Sequence, residues 1–132
     1  MNTITIRKSL TTLTEGLTYS SESDYPFEIL DWGKLKEASI KEHIAWLHAT
    51  SSAPEQVPVD AFFKKYIHNL ELSGDPDMNK LVLRYKKLRD FLADKSLHIQ
   101  LWRCGKIQVG IYFVVSSQDG NLVIKKTTAI ET

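Results

Sequence analysis

The fold is decided by residues 20–32, SSESDYPFEILDW, in which a polar, acidic loop runs through a proline into an aromatic strand. Small polar residues make turns by hydrogen-bonding their own backbone, so we expect Ser20 to Asp24 in an exposed loop. Pro26 fixes its own φ angle and pushes the preceding residue toward extended geometry, which predicts a strand from Tyr25 to Trp32. The acidic side chains of the loop would then lie at the rigid entry to this strand.

Negative charge is concentrated around this loop. Residues 9–33 contain five acidic residues and no lysine or arginine, although the whole chain carries 17 basic and 16 acidic residues. A solvated loop beside the polar face of a strand is the commonest explanation of such a run. A surface for a positively charged partner is the alternative, and composition alone does not decide between the two.

The composition predicts one domain over residues 1–132, because 42% of the residues are apolar and can form a sizeable core. The longest uninterrupted apolar run, Ile111 to Val115, is far below the roughly 20 residues that a membrane-spanning helix needs. The N-terminal residues show no secretory signal, and the single Cys104 cannot form an internal disulfide. We therefore expect a cytoplasmic protein that does not bind membranes.

Two helices are predicted before residue 50. The first has Gly16 where a C-terminal cap is expected and an apolar face made of Ile6, Leu10, Leu13 and Leu17. The second begins at a predicted capping box formed by Ser39 and Glu42.

Two further helices follow a segment rich in helix breakers. Residues 49–58 predict a loop that ends in a short edge strand at Val57 to Val59. Asp60 is the predicted N-cap of a third helix from Ala61 to about Asn69. The Asp-Pro pair at 75–76 predicts the start of the fourth and longest helix, with an apolar stripe of Met78, Leu81, Val82, Tyr85, Leu88 and Leu92.

Three strands are predicted in the last third of the chain, at Leu97 to Arg103, Ile107 to Val115 and Leu122 to Ile130. Glycine-containing turns join them, which favours antiparallel hairpins. Apolar residues at both odd and even positions of the middle strand predict that it is central and covered on both faces. Helices before hairpin-linked strands predict an α+β fold, here an α/β/α sandwich with a mainly antiparallel sheet.

The usual motifs of catalysis and metal binding are missing from the sequence. His43, His48, His68 and His98 have no partners at metal-ligand spacing, and no glycine-rich phosphate loop or nucleophile elbow occurs. The serines at 20–23 have no histidine nearby in sequence to act as a general base. The sequence therefore predicts a protein that is not an enzyme and has no metal or cofactor of its own.

A basic region offers an alternative function. Residues 80–106 contain eight basic residues against Asp90 and Asp94, a charge that could bind a nucleic acid or a phosphoprotein. Charges on one face of a helix are more often merely solvated. We keep such a binding module as the alternative and expect no direct binding of nucleic acid.

The acidic loop also carries a resemblance to a known family. The string SESDYPFE at residues 21–28, followed by a strand ending in Trp32, resembles the cyanobacterial nuclease A inhibitor family. Other segments are similar to the family in the same order, and together they cover essentially the whole chain: VDAFF at 59–63, RYKKL at 84–88, the turns at Gly105 and at 120–122, and the terminal Glu131-Thr132.

The resemblance implies a tight-binding inhibitor of a sugar-non-specific, Mg-dependent endonuclease of the ββα-metal type. Positions that match the family's motif imply that Glu22 and Thr132 reach the metal centre of the nuclease. Their neighbours Ser23, Asp24 and Glu131 would contact the same partner.

One departure from the family lies before the long helix. The family has an Asp-Trp pair there, whereas residues 72–75 of this chain are LSGD. We expect Asp75, with Glu71 and Asp77, to replace that contact in part.

The charge chemistry is consistent with the mechanism that the resemblance implies. Magnesium prefers hard oxygen ligands, and a nuclease cleft is electropositive because it holds phosphates, so an acidic loop can imitate phosphate. The last predicted strand would hold the end of the chain in the sheet. Glu131 and Thr132 would then project beyond it with little structural role.

Overall fold

Antiparallel sheets organise the computed structural model, which describes residues 1–49, 52–94 and 97–131. A two-stranded hairpin consists of β1 (Thr18–Ser20) and β2 (Asp24–Pro26). A five-stranded sheet consists of β3 (Glu28–Gly33), β4 (Glu55–Val57), β5 (His98–Cys104), β6 (Gln108–Ser116) and β7 (Leu122–Ile130). The strand order across the larger sheet is β3-β7-β6-β5-β4, and all four pairings are antiparallel.

Helices cover both faces of the five-stranded sheet. The helices are α1 (Thr3–Thr14), α2 (Ile40–His48), α3 (Val59–Leu72) and α4 (Met78–Leu92). One apolar cluster joins α1, α3 and α4 to the sheet, and a second joins α2 to the opposite face. The predicted α/β/α sandwich of α+β class is therefore confirmed. In the described ranges, no helix combines the length and apolar character needed to cross a bilayer.

Strand β6 is central, as predicted, because it pairs with β5 on one side and β7 on the other. Its side chains alternate between the two clusters. Phe113 lies among the rings of α3, with centroids 5.6 Å from Phe62 and 5.8 Å from Phe63. Tyr112 points to the other face, 5.8 Å from Trp32. Both faces of this strand are consequently buried.

Several predicted boundaries are also confirmed. Helix α1 ends where expected, and Gly16 adopts a positive φ of 67° just after it. This left-handed conformation is the one that glycine adopts at little steric cost. Helix α4 is the longest of the described helices, and β7 has the predicted bounds.

The prediction of one strand from Tyr25 to Trp32 is wrong. The segment is divided into β2, which pairs with β1, and β3, which pairs with β7. Phe27 lies between them, with its ring 5.9 Å from that of Phe113 in the core. Pro26 has no N–H to continue a ladder, so the pairing ends there and the chain turns inward.

The predicted capping contacts of α2 and α3 are wrong. Ser39 precedes α2 but already has helical angles at the end of a 3₁₀ turn, and its hydroxyl makes no capping hydrogen bond. Helix α3 starts one residue before Asp60, with Pro58 at the N-cap, so this acid lies in the first turn, where it still complements the helix dipole.

The start of α4 is later than predicted. Asp75 accepts the backbone N–H of Asp77 at 3.0 Å and thereby caps a turn before the helix, which begins at Met78. The edge strand is also displaced: it is Glu55–Val57, while Val59 opens α3. The error at Asp75 arises because a capping residue can close a turn as readily as it can cap a helix.

Helix α2 is attached to the sheet through a polar contact. The Nε2 atom of His48 lies 2.7 Å from the hydroxyl of Tyr112, and the two side chains share a hydrogen bond. Burial, followed by the charge of Lys126, lowers the pKa of His48 and favours the neutral imidazole. The ring fits only because Gly110 has no side chain: a Cβ there would lie 2.7 Å from Nε2 of His48.

We predict that Gly110→Ala destabilises the protein by about 1–3 kcal/mol, the usual cost of an overpacked contact. The added methyl group must displace the imidazole and break its hydrogen bond to Tyr112. The control Tyr112→Phe removes only the hydroxyl and should cost less, about 1 kcal/mol. Urea unfolding measures both changes, and a Gly110→Ala protein as stable as the parent would contradict this packing.

Candidate functional site

The acidic loop between β1 and β2 is a tight, exposed turn. The backbone N–H of Ser21 donates to the carbonyl of Ser23 at 3.2 Å, and the Ser21 hydroxyl donates to the same carbonyl at 3.0 Å. Residues 21–24 are all exposed. The loop therefore has the self-bonded geometry that its small polar residues predicted, and it presents Glu22, Ser23 and Asp24 to solvent.

The end of the last strand is hydrogen-bonded to this loop. The N–H of Ile130 donates to the Ser21 hydroxyl at 2.9 Å. The N–H of Glu22 approaches the carbonyl of Ile130 at 3.4 Å. Two segments that are 109 residues apart in sequence are thus neighbours, and the backbone of Glu22 lies against the residue that precedes Glu131.

The hairpin that carries the loop is fixed to the helical layer. The hydroxyl of Tyr66 accepts the N–H of Ser20 at 2.8 Å, and the hydroxyl of Tyr85 donates to the carbonyl of Thr18 at 2.6 Å. The ring of Tyr19 stacks on that of Tyr66 with centroids 4.5 Å apart. Two helices therefore hold β1 through tyrosine side chains.

The hairpin is also fixed to the sheet. The hydroxyl of Thr127, a buried residue of β7, donates to the carbonyl of Pro26 at 3.0 Å. Together with the bond between Ile130 and Ser21, this contact joins the hairpin to β7 at both ends. The hairpin that carries the acidic loop is consequently hydrogen-bonded both to the helices and to the sheet.

The expectation that Glu131 has little structural role is wrong. Its N–H donates to the carbonyl of Ile107 at 2.9 Å, which extends the pairing of β7 beyond its last ladder position. Its carboxylate pairs with the guanidinium of Arg103 on β5. Both side chains are partly exposed, so the pair contributes little to global stability but fixes the direction of the chain end.

A cavity of about 280 Å³ opens beside the chain end. Its lining includes the stacked rings of Tyr19, Phe62 and Tyr66 and the paired side chains of Arg103 and Glu131. Burial, with smaller effects from neighbouring groups that include Glu131, raises the pKa of Tyr19 to about 12. The aromatic rings and the ion pair thus line one cavity beside the chain end.

The structure brings together only part of the predicted site. Glu22, Ser23, Asp24 and Glu131 lie at one end of the sheet, whereas Thr132 is outside the described residues. Asp75 occupies the separate connection between α3 and α4. Within the described residues, no hydrogen bond or ion pair links Asp75 to the acidic loop.

The three arginines of the range 80–106 bond to different parts of the protein. Arg84 donates to the carbonyls of Leu13 and Glu15, and Arg103 pairs with Glu131 on the sheet. Arg89 pairs with the neighbouring Asp90. All three arginines of this range are therefore engaged in contacts within the protein.

A larger groove lies along the outer surface of α3 and α4. Its volume is about 830 Å³, and lysines, an arginine and acids line it together: Asp60, Lys64, Lys65, His68, Glu71, Lys86 and Arg89. The mixture of signs weakens the field that a polyanion would experience there. Across residues 1–49, 52–94 and 97–131, no group of three or more His, Cys, Asp or Glu residues is arranged to hold a metal ion.

Sequence reasoning missed the residues that support the loop. The apolar stripe of the fourth helix includes Tyr85, and the helical patterns give neither Tyr85 nor Tyr66 a role in the loop. A buried hydroxyl needs a hydrogen-bond partner, however, and that requirement was a usable signal. The roles of Ser21 and Arg103 depend on the register between β5, β6 and β7, which no local pattern supplies.

Comparison with known proteins identifies the family. A search of curated proteins finds no match to the chain. A family model described as nuclease A inhibitor-like protein matches residues 4–132, nearly the whole chain. The resemblance noted at the acidic loop is therefore confirmed. The chain belongs to the nuclease A inhibitor-like family, and this membership supports a role as a nuclease inhibitor.

Proposed function

We propose that this protein inhibits a sugar-non-specific, Mg-dependent endonuclease of the ββα-metal type by inserting its acidic loop and its C-terminal end into the active site. The observation that carries the proposal is the hydrogen bond between Ile130 and Ser21, which joins the loop to the chain end. The protein itself is not an enzyme and would act in the cytoplasm, where it protects the nucleic acids of the producing cell.

Glu22 is the residue that would approach the metal. It is exposed on a turn that the hydroxyl of Ser21 closes. Tyr66 and Tyr85 hydrogen-bond to β1, the strand that leads into this turn. A carboxylate offers the hard oxygen that Mg²⁺ prefers, in place of a phosphate oxygen of the substrate. Because the loop is already ordered, little conformational freedom would be lost on binding, which favours tight association.

The chain end would supply the second contact. Glu131 is engaged by Arg103, and Thr132 is the residue of this end that would reach the metal centre. A chain end is narrow enough to enter a cleft that excludes a broad loop. Asp24 and Ser23 would contact the rim of the cleft, and Asp75 would touch the nuclease at a separate point.

The alternative is a module that binds nucleic acid or a phosphoprotein through residues 80–106. The engagement of Arg84, Arg89 and Arg103 within the protein counts against it. A direct test is to titrate the purified protein into a panel of Mg-dependent nucleases of the ββα-metal type and, separately, into labelled DNA. The proposal requires stoichiometric inhibition of a nuclease and no DNA binding at physiological salt; the reverse pattern would favour the alternative.

We predict that Glu22→Gln weakens inhibition by about 2–4 kcal/mol, because a desolvated charged contact is lost while the shape of the side chain is kept. The measurement is the inhibition constant against the nuclease that the panel identifies. Glu42→Gln is the matched control, since Glu42 is exposed on α2, on the opposite face of the sheet. Equal constants for the two variants would contradict the role of Glu22.

We predict that deleting Thr132, or adding a tag after it, impairs inhibition while the free energy of unfolding changes by no more than about 0.5 kcal/mol. Both changes alter only the tip that would enter the cleft. A tag on Met1 is the control, because its carbonyl accepts the N–H of Gln118 in the β6–β7 turn, at the other end of β7. Full inhibition by all three proteins would remove the C-terminal contact from the mechanism.

A further inference from the structure

We propose that Ser21 is a positioning residue that holds the acidic loop and the chain end as one pre-assembled unit. Its hydroxyl bonds both to the loop and to β7, and the nuclease would therefore receive Glu22 and residues 130–131 in a fixed arrangement. This inference rests on the proposed function, since it concerns how the two inhibitory contacts are arranged.

The Ser21 hydroxyl has two simultaneous hydrogen bonds. It donates to the carbonyl of Ser23 at 3.0 Å and accepts the N–H of Ile130 at 2.9 Å. A hydroxyl has one donor and two acceptor positions, so one side chain can serve both bonds. The first bond shapes the turn that displays Glu22, and the second attaches that turn to the end of β7.

Ile130 is the last residue of β7 that pairs with β6, where it lies opposite Gln108. Beyond it, Glu131 is held on the other side by Ile107 and by Arg103. Two contacts thus fix the chain end: the Ser21 hydroxyl binds the N–H of Ile130, and the Arg103 guanidinium binds the carboxylate of Glu131. Losing the Ser21 hydroxyl leaves only the 3.4 Å contact between the N–H of Glu22 and the carbonyl of Ile130 on the loop side, and it leaves the sheet pairing in place.

The expected consequence is local. Ser21 is exposed and Ile130 is half-buried, so water can satisfy the N–H of Ile130 when the hydroxyl is absent. Global stability should therefore be nearly unchanged in Ser21→Ala. The distance between the two inhibitory contacts would become variable, and part of the binding energy would be lost in ordering them again.

The first test uses the free protein. Amide hydrogen exchange, followed by NMR, should show faster exchange of the Ile130 amide in Ser21→Ala, while the amide of Phe113 in the core keeps its protection. Ser21→Thr retains the hydroxyl and should restore slow exchange at Ile130. Ser39→Ala is the matched control, because the Ser39 side chain makes no capping bond and lies near α2. Unchanged exchange at Ile130 in Ser21→Ala would overturn the inference.

The second test is a double-mutant cycle on nuclease inhibition, with the ββα-metal nuclease from the panel as the probe. Ser21→Ala alone should weaken inhibition about fivefold, the effect of one neutral hydrogen bond. Combined with deletion of Thr132, its further effect should be clearly smaller than in the intact chain, because there is less of the chain end left to position. Ser21→Thr should inhibit like the parent.

The outcomes separate this inference from the proposed function. If both Glu22→Gln and the Thr132 deletion leave inhibition intact, or if no nuclease of the panel is inhibited, the proposed function fails and the inference fails with it. If those two changes weaken inhibition but Ser21→Ala does not, or acts with equal strength in both backgrounds, only the positioning role of Ser21 is refuted.

Discussion

Burial of β6 on both faces is the constraint on which the rest of the structure depends. Its side chains alternate between a cluster with α1, α3 and α4 and a cluster with α2, so this one strand holds the three layers together. Burying apolar surface stabilises by about 25 cal/mol per Å², and a strand with two buried faces gains from both sides. The pairing with β5 and β7 follows, because its buried backbone groups need partners.

The position of the acidic loop is a consequence of that central strand. Strand β7 is aligned by β6 along its whole length, so Ile130 arrives at a defined point at the end of the sheet. The hairpin of β1 and β2 then attaches to β7 through Thr127 and Ile130, and to the helices through Tyr66 and Tyr85. The charged loop is exposed, but every element beneath it is tied to the core. The proposed inhibitor would therefore bind through a surface that is ordered before the partner arrives.

Local patterns predicted the elements well, and long-range contacts account for what they missed. Apolar residues at both odd and even positions of Ile107 to Val115 were enough to predict a doubly covered strand, and Gly16 marked a helix end through its backbone freedom. The break at Phe27 was missed because its ring enters the core against Phe113, a contact 86 residues distant in sequence. The acidic loop was recognised from its composition and family resemblance. Its attachment to Ile130, and the pairing of Glu131 with Arg103, depend on sheet register and could not be predicted from the sequence.

In the proposed complex, the acidic loop and the chain end form the surface that meets the nuclease. The most direct measurement is an NMR titration of the ¹⁵N-labelled protein with an unlabelled, catalytically inactive ββα-metal nuclease, with amide shifts followed residue by residue. We predict that the largest changes fall on residues 20–24 and 130–132, with the exposed face of α4 around Lys80 and Lys87 unaffected. Changes concentrated on α4, with the loop and chain end unperturbed, would contradict it.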